Sequence, residues 1–435
     1  MQQTNYQLYR SNIITLKGEE KGQFIKDGAL IVKTMNNKSK IYKVGKYSDL
    51  KNICKNYEYF DFSDYILLPA LYDMHFHWVQ DDVRLMPKEN LLDWLKNYTW
   101  PYEHKYRDKN FSKTKSKIFS QELASVGTIG GGCYGSIHGH TVDHALKNFK
   151  GDFIVGNVLM TMNSPDYLIQ SKKSAVNLVN KKSTKYSHNY ALTPRFAITT
   201  HPEVMKESAS FAKANKSFIQ THLAETPGEI EFVMDIYSKL KGFEKVKSYT
   251  EVYKKSGLLG PRTIMGHGIY LNDDELEMIR KSKTKIAHCP SSNAPTKELG
   301  LGSGLFDFKR IEKASIDWAL ASDIGGGPYL SMFDVMDSFV RQNHKKKNYE
   351  ASYTKALYRS TISAAKMLNI SKNSGSLDSG KRANFIFIEA PKFKSADKCE
   401  DVLKRVIKKG LKNRANHDKS IFKTFLDGKE IYSAT

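Results

Sequence analysis

The chain has 435 residues, 40% of them hydrophobic, and a formal net charge of +22; that is room for a large α/β barrel carrying a smaller domain around a sizeable core. No apolar run approaches the about 18 residues of a membrane span, and the polar start MQQTNYQLYRSN lacks the apolar region of a secretory signal, so a soluble cytoplasmic protein without a membrane partner is expected. Only 12 of the 68 basic residues are Arg, the side chain that reads bases and phosphates in bidentate fashion, so the charge reads as a lysine-rich solvated surface rather than a specific nucleic-acid site.

Residues 1–65 read as short strands with polar turns, for example GALIVK (28–33) and SKIYKVG (39–45). From residue 66 the pattern changes. Eight apolar runs follow: ILLPALYDMHFH, VGTIGGGCYG, DFIVGNVLM, YALTPRFAIT, SFIQTHLAE, RTIMGHGIYL, TKIAHCPSSN and DWALASDIGGG. Between them lie stretches with helical spacing of apolar residues, such as PGEIEFVMDIYSKLKGF and NDDELEMIRKSK. Eight β-runs with intervening helices predict a (β/α)8 TIM barrel over 66–369, with a parallel sheet and right-handed crossovers. After about residue 370 the text returns to strands in GSLDSGKRANFIFIEA and IFKTFLDGKEIYSA. The termini, 1–65 and 370–435, are therefore expected to join into one small β-sandwich-like domain. The polar stretches KKSTKYSHN (181–189) and RQNHKKKNYE (341–350) read as surface loops or helix ends.

Barrel enzymes place their chemistry at the C-terminal ends of the strands, so the residue that ends each run matters. Run one ends in His75-Phe76-His77, run four in Arg195-Phe196, run five in His222 with Glu225 three residues on. Run six ends in His267, run seven in His288-Cys289-Pro290, and run eight in Asp323 ahead of three glycines. Residues i and i+2 of a strand share a face, so His75 and His77 can both aim into the barrel mouth. The four cysteines, 54, 133, 289 and 399, form no C-x-x-C pair, so nitrogen and oxygen ligands are the expected metal donors. Two imidazoles on one strand, a third from run five and a carboxylate from run eight would suit zinc or another borderline divalent metal. The open position would hold a water whose pKa falls to about 7. A second His-x-His, His138 and His140, reads as loop, as do His188, His201 and His344. His288 reads as a neighbour of the site without a role of its own.

LYDMHFH, THLAE, MGHG, AHCPSSN, ASDIGGG and GSLDSGKRANF together resemble the amidohydrolase superfamily of metal-dependent hydrolases, over nearly the whole chain. Within it, LLDWLKNYTWPYEHKY (91–106), LTPRF, QTHLAET and LGSGLFDFKRI are similar to the guanine deaminases. The resemblance implies zinc-dependent hydrolysis of guanine to xanthine and ammonia by a homodimer with one zinc per chain, iron or another divalent ion being the alternative metal. It implies His75, His77, His222 and Asp323 as metal ligands, Glu225 as proton shuttle, and His267 as the hydrogen-bonding partner of the attacking water. Gln80, Arg195 and Phe196 would recognise the purine; an ion pair beneath the mouth is the plain alternative for Arg195. The superfamily's binuclear members carry a carboxylated Lys at the end of run four, where Arg195 stands, which favours one metal. Trp78, after the second His, is expected to narrow the mouth, and TIGGGCYG replaces a stretch that often carries consecutive Thr. The nearest competing substrates are a pterin, an 8-substituted guanine or a triazine; the other competing class is a non-catalytic binding barrel.

Overall fold

The apolar run at residues 66–77 reads as one strand, yet the chain divides it. The computed structural model describes residues 4–54, 56–394, 396–411 and 420–434. In it, Ile66–Pro69 finishes a strand of one sheet and Leu71–Phe76 opens another. The strands are β1 (Asn5–Leu16), β2 (Gly22–Met35), β3 (Lys38–Lys46), β4 (Glu58–Pro69), β5 (Leu71–Phe76), β6 (Thr128–Gly135), β7 (Asp152–Leu159) and β8 (Ala191–Pro194). They continue as β9 (Phe218–Leu223), β10 (Thr263–His267), β11 (Lys285–His288), β12 (Trp318–Leu320), β13 (Phe385–Glu389), β14 (Ile421–Leu426) and β15 (Lys429–Ser433). The chain falls into two compact units: Met1–Tyr72 with Gln121–Ile129 and Leu330–Thr435, and Asp73–Ser120 with Gly130–Tyr329.

The first unit holds a seven-stranded sheet in the order β15-β14-β13-β4-β1-β2-β3, so both ends of the sequence meet in it. The expected small β-domain is thus a single mixed sheet that curls. At its far end Ile41 of β3 donates its N–H to the Lys381 carbonyl, and Ala383 donates to the Ser39 carbonyl, on the segment leading into β13. The curl encloses an aromatic core: Tyr9 stacks on Phe60 at 4.9 Å and meets Phe385 and Phe425 edge-on. Burying such large rings is the main drive holding the two chain ends together. The sequence reading passed over one helix here, Cys399–Leu411. Its buried Val402, Leu403, Val406 and Ile407 have the helical spacing of one apolar face.

The second unit carries the body of an eight-stranded sheet in strict order β5 to β12. Every pairing that is resolved in register is parallel, from β6–β7 through β11–β12. Helices alternate with these strands, among them Gly139–Asn148, Lys172–Tyr186, Pro202–Ala214, Pro227–Ser238 and Asp273–Ser282. This is the (β/α)8 barrel expected from the eight runs. Local capping explains where the helices start. Thr226 accepts from the Glu229 N–H before Pro227, and Asn272 forms a reciprocal capping box with Glu275. Among the described residues no helix is long and apolar enough to cross a membrane.

The barrel closes between its last and first strands through few bonds. Asp323 N–H donates to the His75 carbonyl at 2.8 Å and His77 N–H to the Ile324 carbonyl at 3.2 Å. A side chain completes the seam: the fully buried Asp73 carboxylate accepts from Ser322 N–H at 2.9 Å and from the Ser322 hydroxyl. The glycines of β6 belong to this packing. A Cβ on Gly131, at φ +150, would lie 1.6 Å from the Asp73 carbonyl oxygen, so only glycine lets β6 approach β5 so closely. Asp73→Ala leaves two buried donors of Ser322 unpaired at the seam. It is expected to lower unfolding stability by about 3 kcal/mol, read from urea denaturation; a loss below about 1 kcal/mol would show that the seam does not need this carboxylate.

Candidate active site

The side chains that end the barrel strands converge. His75, His77, His222 and Asp323 each offer one ligand atom, and these four atoms lie within 4.8 Å of one another. Nε2 of His75 is 3.3 Å and Nε2 of His77 is 3.5 Å from Asp323 Oδ1, as the i, i+2 spacing anticipates. Backbone geometry aims them. Ala224, His267 and Asp323 have φ of +49°, +70° and +50°, a left-handed region unfavourable for residues with a Cβ and typical of functional sites.

The donor set fits a cation on the evidence of its hydrogen bonds. His222 Nδ1 lies 2.6 Å from the Arg195 carbonyl oxygen, which only accepts, so Nδ1 carries the proton and Nε2 a lone pair. That lone pair faces Nε2 of His77 at 3.1 Å. Nε2 of His75 and Nδ1 of His77 are buried with no hydrogen-bond partner. Burial foremost holds the imidazoles of His77 and His222 well below their usual pKa, and lowers His75 as well; neutral imidazoles are what a metal takes. Burial would raise the Asp323 carboxyl, but the imidazoles of His75, His267 and His77 outweigh it and hold it well below the usual range. Ser292 donates to Asp323 Oδ2 at 2.6 Å.

Glu225 and His267 stand beside this group. Nε2 of His267 is 3.5 Å from Glu225 Oε2 and 3.9 Å from Asp323 Oδ2. Burial, opposed by His267 and reinforced by Asp323, pushes the Glu225 carboxyl up to about 7. For His267 burial acts downward, and Glu225 and Asp323 together overcome it, so the imidazole is raised. Two further contacts orient the pair. Ser303 donates to Glu225 Oε1 at 2.7 Å, and His267 Nδ1 bonds Asn293 Oδ1 at 3.0 Å.

A cavity of about 400 Å³, its open mouth included, is lined by His77, His222, Glu225 and Asp323 together with Gln80, Arg195, Phe196, Leu91, Trp94 and Leu95. Arg195 is both a cavity residue and half of an ion pair. Its Nη1 donates to Oε1 and Oε2 of Glu103 at 2.9 and 2.8 Å, and both residues are buried. Gln80 Nε2 donates to the same Glu103 Oε1 at 2.6 Å. Gly325, at φ +115, makes room for Gln80, whose Oε1 would lie 2.3 Å from a Cβ there. Lys88, lowered to about 8 by burial, donates to the carbonyls of Arg84 and Leu299 at 2.5 and 3.0 Å. It thereby ties the segment after β5 to the loop carrying Leu301 and Ser303.

His75, His77, Arg195, Phe196, His222, Glu225, His267 and Asp323 thus come to one place, while other expectations change. Trp78 does not line the cavity; it is buried against Tyr106, Phe119 and Phe149, because it points to the opposite face of the chain from His77. His140 lies in the first turn of the helix Gly139–Asn148 rather than in a loop, and bonds the Tyr106 carbonyl. His288 stacks on Phe306 at 4.4 Å, and burial lowers it to about 3. Sequence reasoning gave no role to Glu103, Asn293, Ser292 or Ser303, although each lies in a stretch quoted for the resemblance. A lone carboxylate between aromatic residues in WPYEHKY is the signal that pointed to Glu103.

The amidohydrolase family profile matches residues 66–430. Guanine deaminase of Escherichia coli is 28% identical over 420 residues, spanning 94% of this chain and 92% of that protein. Guanine deaminase of Rattus norvegicus is 28% identical over 390 residues, 84% and 82% of the two chains. Among solved structures, that of the E. coli guanine deaminase superposes with a TM-score of 0.86 at 26% identity, covering 99% of this chain and 100% of the other. The guanine deaminase of C. acetobutylicum with guanine bound in its active site gives 0.83 at 25%, covering 98% and 100%. The profile match over most of the sequence and the histidine and aspartate cluster at the strand ends agree: this chain belongs to the amidohydrolase family.

Proposed function

We propose that this chain hydrolyses guanine to xanthine and ammonia, in purine breakdown, as a cytoplasmic homodimer with one zinc ion per chain. The observation that carries the reading is the buried Glu103, which holds Gln80 and Arg195 together in the lining of the cavity that the histidine cluster also lines. Because Gln80 Nε2 donates to Glu103, its amide cannot flip, and Oε1 remains an acceptor for a ligand N–H. Arg195 spends Nη1 on Glu103; among the described residues its Nη2 and Nε make no bond to protein and are available to an oxo group. An acceptor and a donor fixed side by side suit a ring with an oxo group next to an N–H, as in guanine. Phe196 packs against its face.

Zinc held by His75, His77, His222 and Asp323 would supply a water acidic enough to act as nucleophile near neutral pH. The residues around it handle the protons. Glu225, poised near neutrality, takes a proton from the nucleophile and gives it to the ring nitrogen beside the amine-bearing carbon. The same carboxyl then takes the proton left on the added oxygen and passes it to the amine, so the carbon–nitrogen bond breaks and ammonia leaves. Asp323, its Oδ2 held by Ser292, is the alternative acceptor for the first proton. His267, with Nδ1 engaged by Asn293, turns Nε2 toward the oxygen that adds to the ring and stabilises its developing charge.

Ammonia release from a panel of guanine, adenine, pterins and triazines tests the reading. Guanine is expected to react about 10⁴-fold faster in kcat/KM than adenine, which leaves the fixed donor and acceptor unpaired. Faster release from a pterin or triazine would transfer the same chemistry to another ring. Glu225→Gln is expected to lower kcat at least about 10²-fold while the zinc content, measured by atomic absorption, stays at one per chain. Unchanged kcat in that variant would remove Glu225 from the mechanism.

A further inference from the structure

Cys289 has no part in the reaction above, yet it lies against the metal-binding residues. The ligand atoms of His75, His267, Cys289 and Asp323 also lie within 4.8 Å of one another, and all four residues are buried. This set shares His75 and Asp323 with the first and replaces two imidazoles by one imidazole and a thiol. A second observation, independent of the thiol, points to a ligand. Nε2 of His267 and Nε2 of His75 are both buried without a hydrogen-bond partner. His267 can turn only that nitrogen inward, since Nδ1 is bound to Asn293. The Asp323 carboxylate serves both directions, with Oδ1 toward His75 and His77 and Oδ2 toward His267. The thiol contacts the Ala287 carbonyl at 3.6 Å and also meets the backbone of His267.

We infer that the barrel mouth contains a second, overlapping cation cage, made by His75, His267, Cys289 and Asp323, that selects soft, thiophilic divalent ions such as cadmium. It rests on the reading above only in taking His75 and Asp323 as metal ligands. The first cage offers nitrogen and oxygen alone; the second adds sulfur, the donor soft ions prefer. Cysteine binds as the thiolate, so its proton leaves to solvent as the ion enters. Because two ligands are common, an ion in the second cage strips the first of His75 and Asp323. It also takes His267 from the oxygen it would otherwise stabilise. The soft-ion form is therefore inactive, and a chelator followed by zinc restores it.

Cys54 is half-buried and could bind ions on its own, so the test uses a Cys54→Ser background. Metal-free protein is loaded with one equivalent of cadmium or zinc, and X-ray absorption at each metal's edge reads the ligand shell. Zinc is expected to show nitrogen and oxygen only, with no scatterer at the about 2.3 Å of a zinc–sulfur bond. Cadmium is expected to show one sulfur, lost in Cys289→Ala. His267→Gln, which removes the other unshared ligand, is expected to weaken cadmium binding about tenfold or more and leave zinc affinity nearly unchanged. Cadmium bound without sulfur, or a sulfur that persists in Cys289→Ala, overturns the second cage and leaves the zinc reading standing. Failure of both ions to bind overturns both.

Discussion

His77 and His222 present Nε2 to Nε2 at 3.1 Å, and the only ring proton of neutral His222 is already given to the Arg195 carbonyl. His222 Nε2 therefore offers only a lone pair, and neutral His77, whose Nδ1 has no hydrogen-bond partner, can meet it with an Nε2 proton or turn a second lone pair toward a cation. An extra proton on either ring is disfavoured, because burial and the neighbouring imidazoles press both toward neutrality. A divalent cation suits the pair, and Asp323 already supplies negative charge that would balance part of it. The remaining features of the mouth can be understood as keeping this arrangement in place without a flexible part.

Rigidity has a local cost that the barrel bears. Three residues at the mouth sit in left-handed backbone despite carrying a Cβ, each worth of order 1 kcal/mol or more of strain. They persist because the strands beneath them are over-determined by parallel hydrogen bonding, and because Asp73 locks Ser322 one residue before Asp323. The seam and the ligand are therefore one construction. What orients Asp323 is a carboxylate two positions before His75, on the same strand and the same face. Strand β5 thus contributes one potential ligand, His75, and the brace for another at Asp323, while His77 follows directly after its end.

The parts of this design that sequence reveals are those governed by period. Apolar runs of strand length separated by helical spacing give the eight strands, and asking which polar residue ends each run picks out His75, His77, His222, His267 and Asp323. The aperiodic parts stay hidden. Glu103 lies in a stretch of helical turns after β5, and Ser303 in a loop with two glycines; neither position has a period that fixes where its side chain will point. Trp78 differs, since alternation from His77 already sends it to the opposite face, where it packs on Tyr106, Phe119 and Phe149. The division of ILLPALYDMHFH between two sheets is hidden for a related reason: both halves are buried and apolar, and composition alone cannot mark a change of partner.

Glu103 shows how two parts of the cavity lining differ in kind. The imidazole nitrogens of His75, His77 and His222 and the Asp323 carboxylate offer donor atoms to a cation. Arg195 is ion-paired with Glu103, so this pair is close to neutral while still presenting fixed donors and acceptors. A neutral planar ring gains little from a net field but much from hydrogen bonds that need no reorganisation. An unpaired arginine would bind anions as readily as a ring oxo group. By neutralising Arg195 and immobilising Gln80 with a single buried carboxylate, the chain converts two flexible polar side chains into a rigid template.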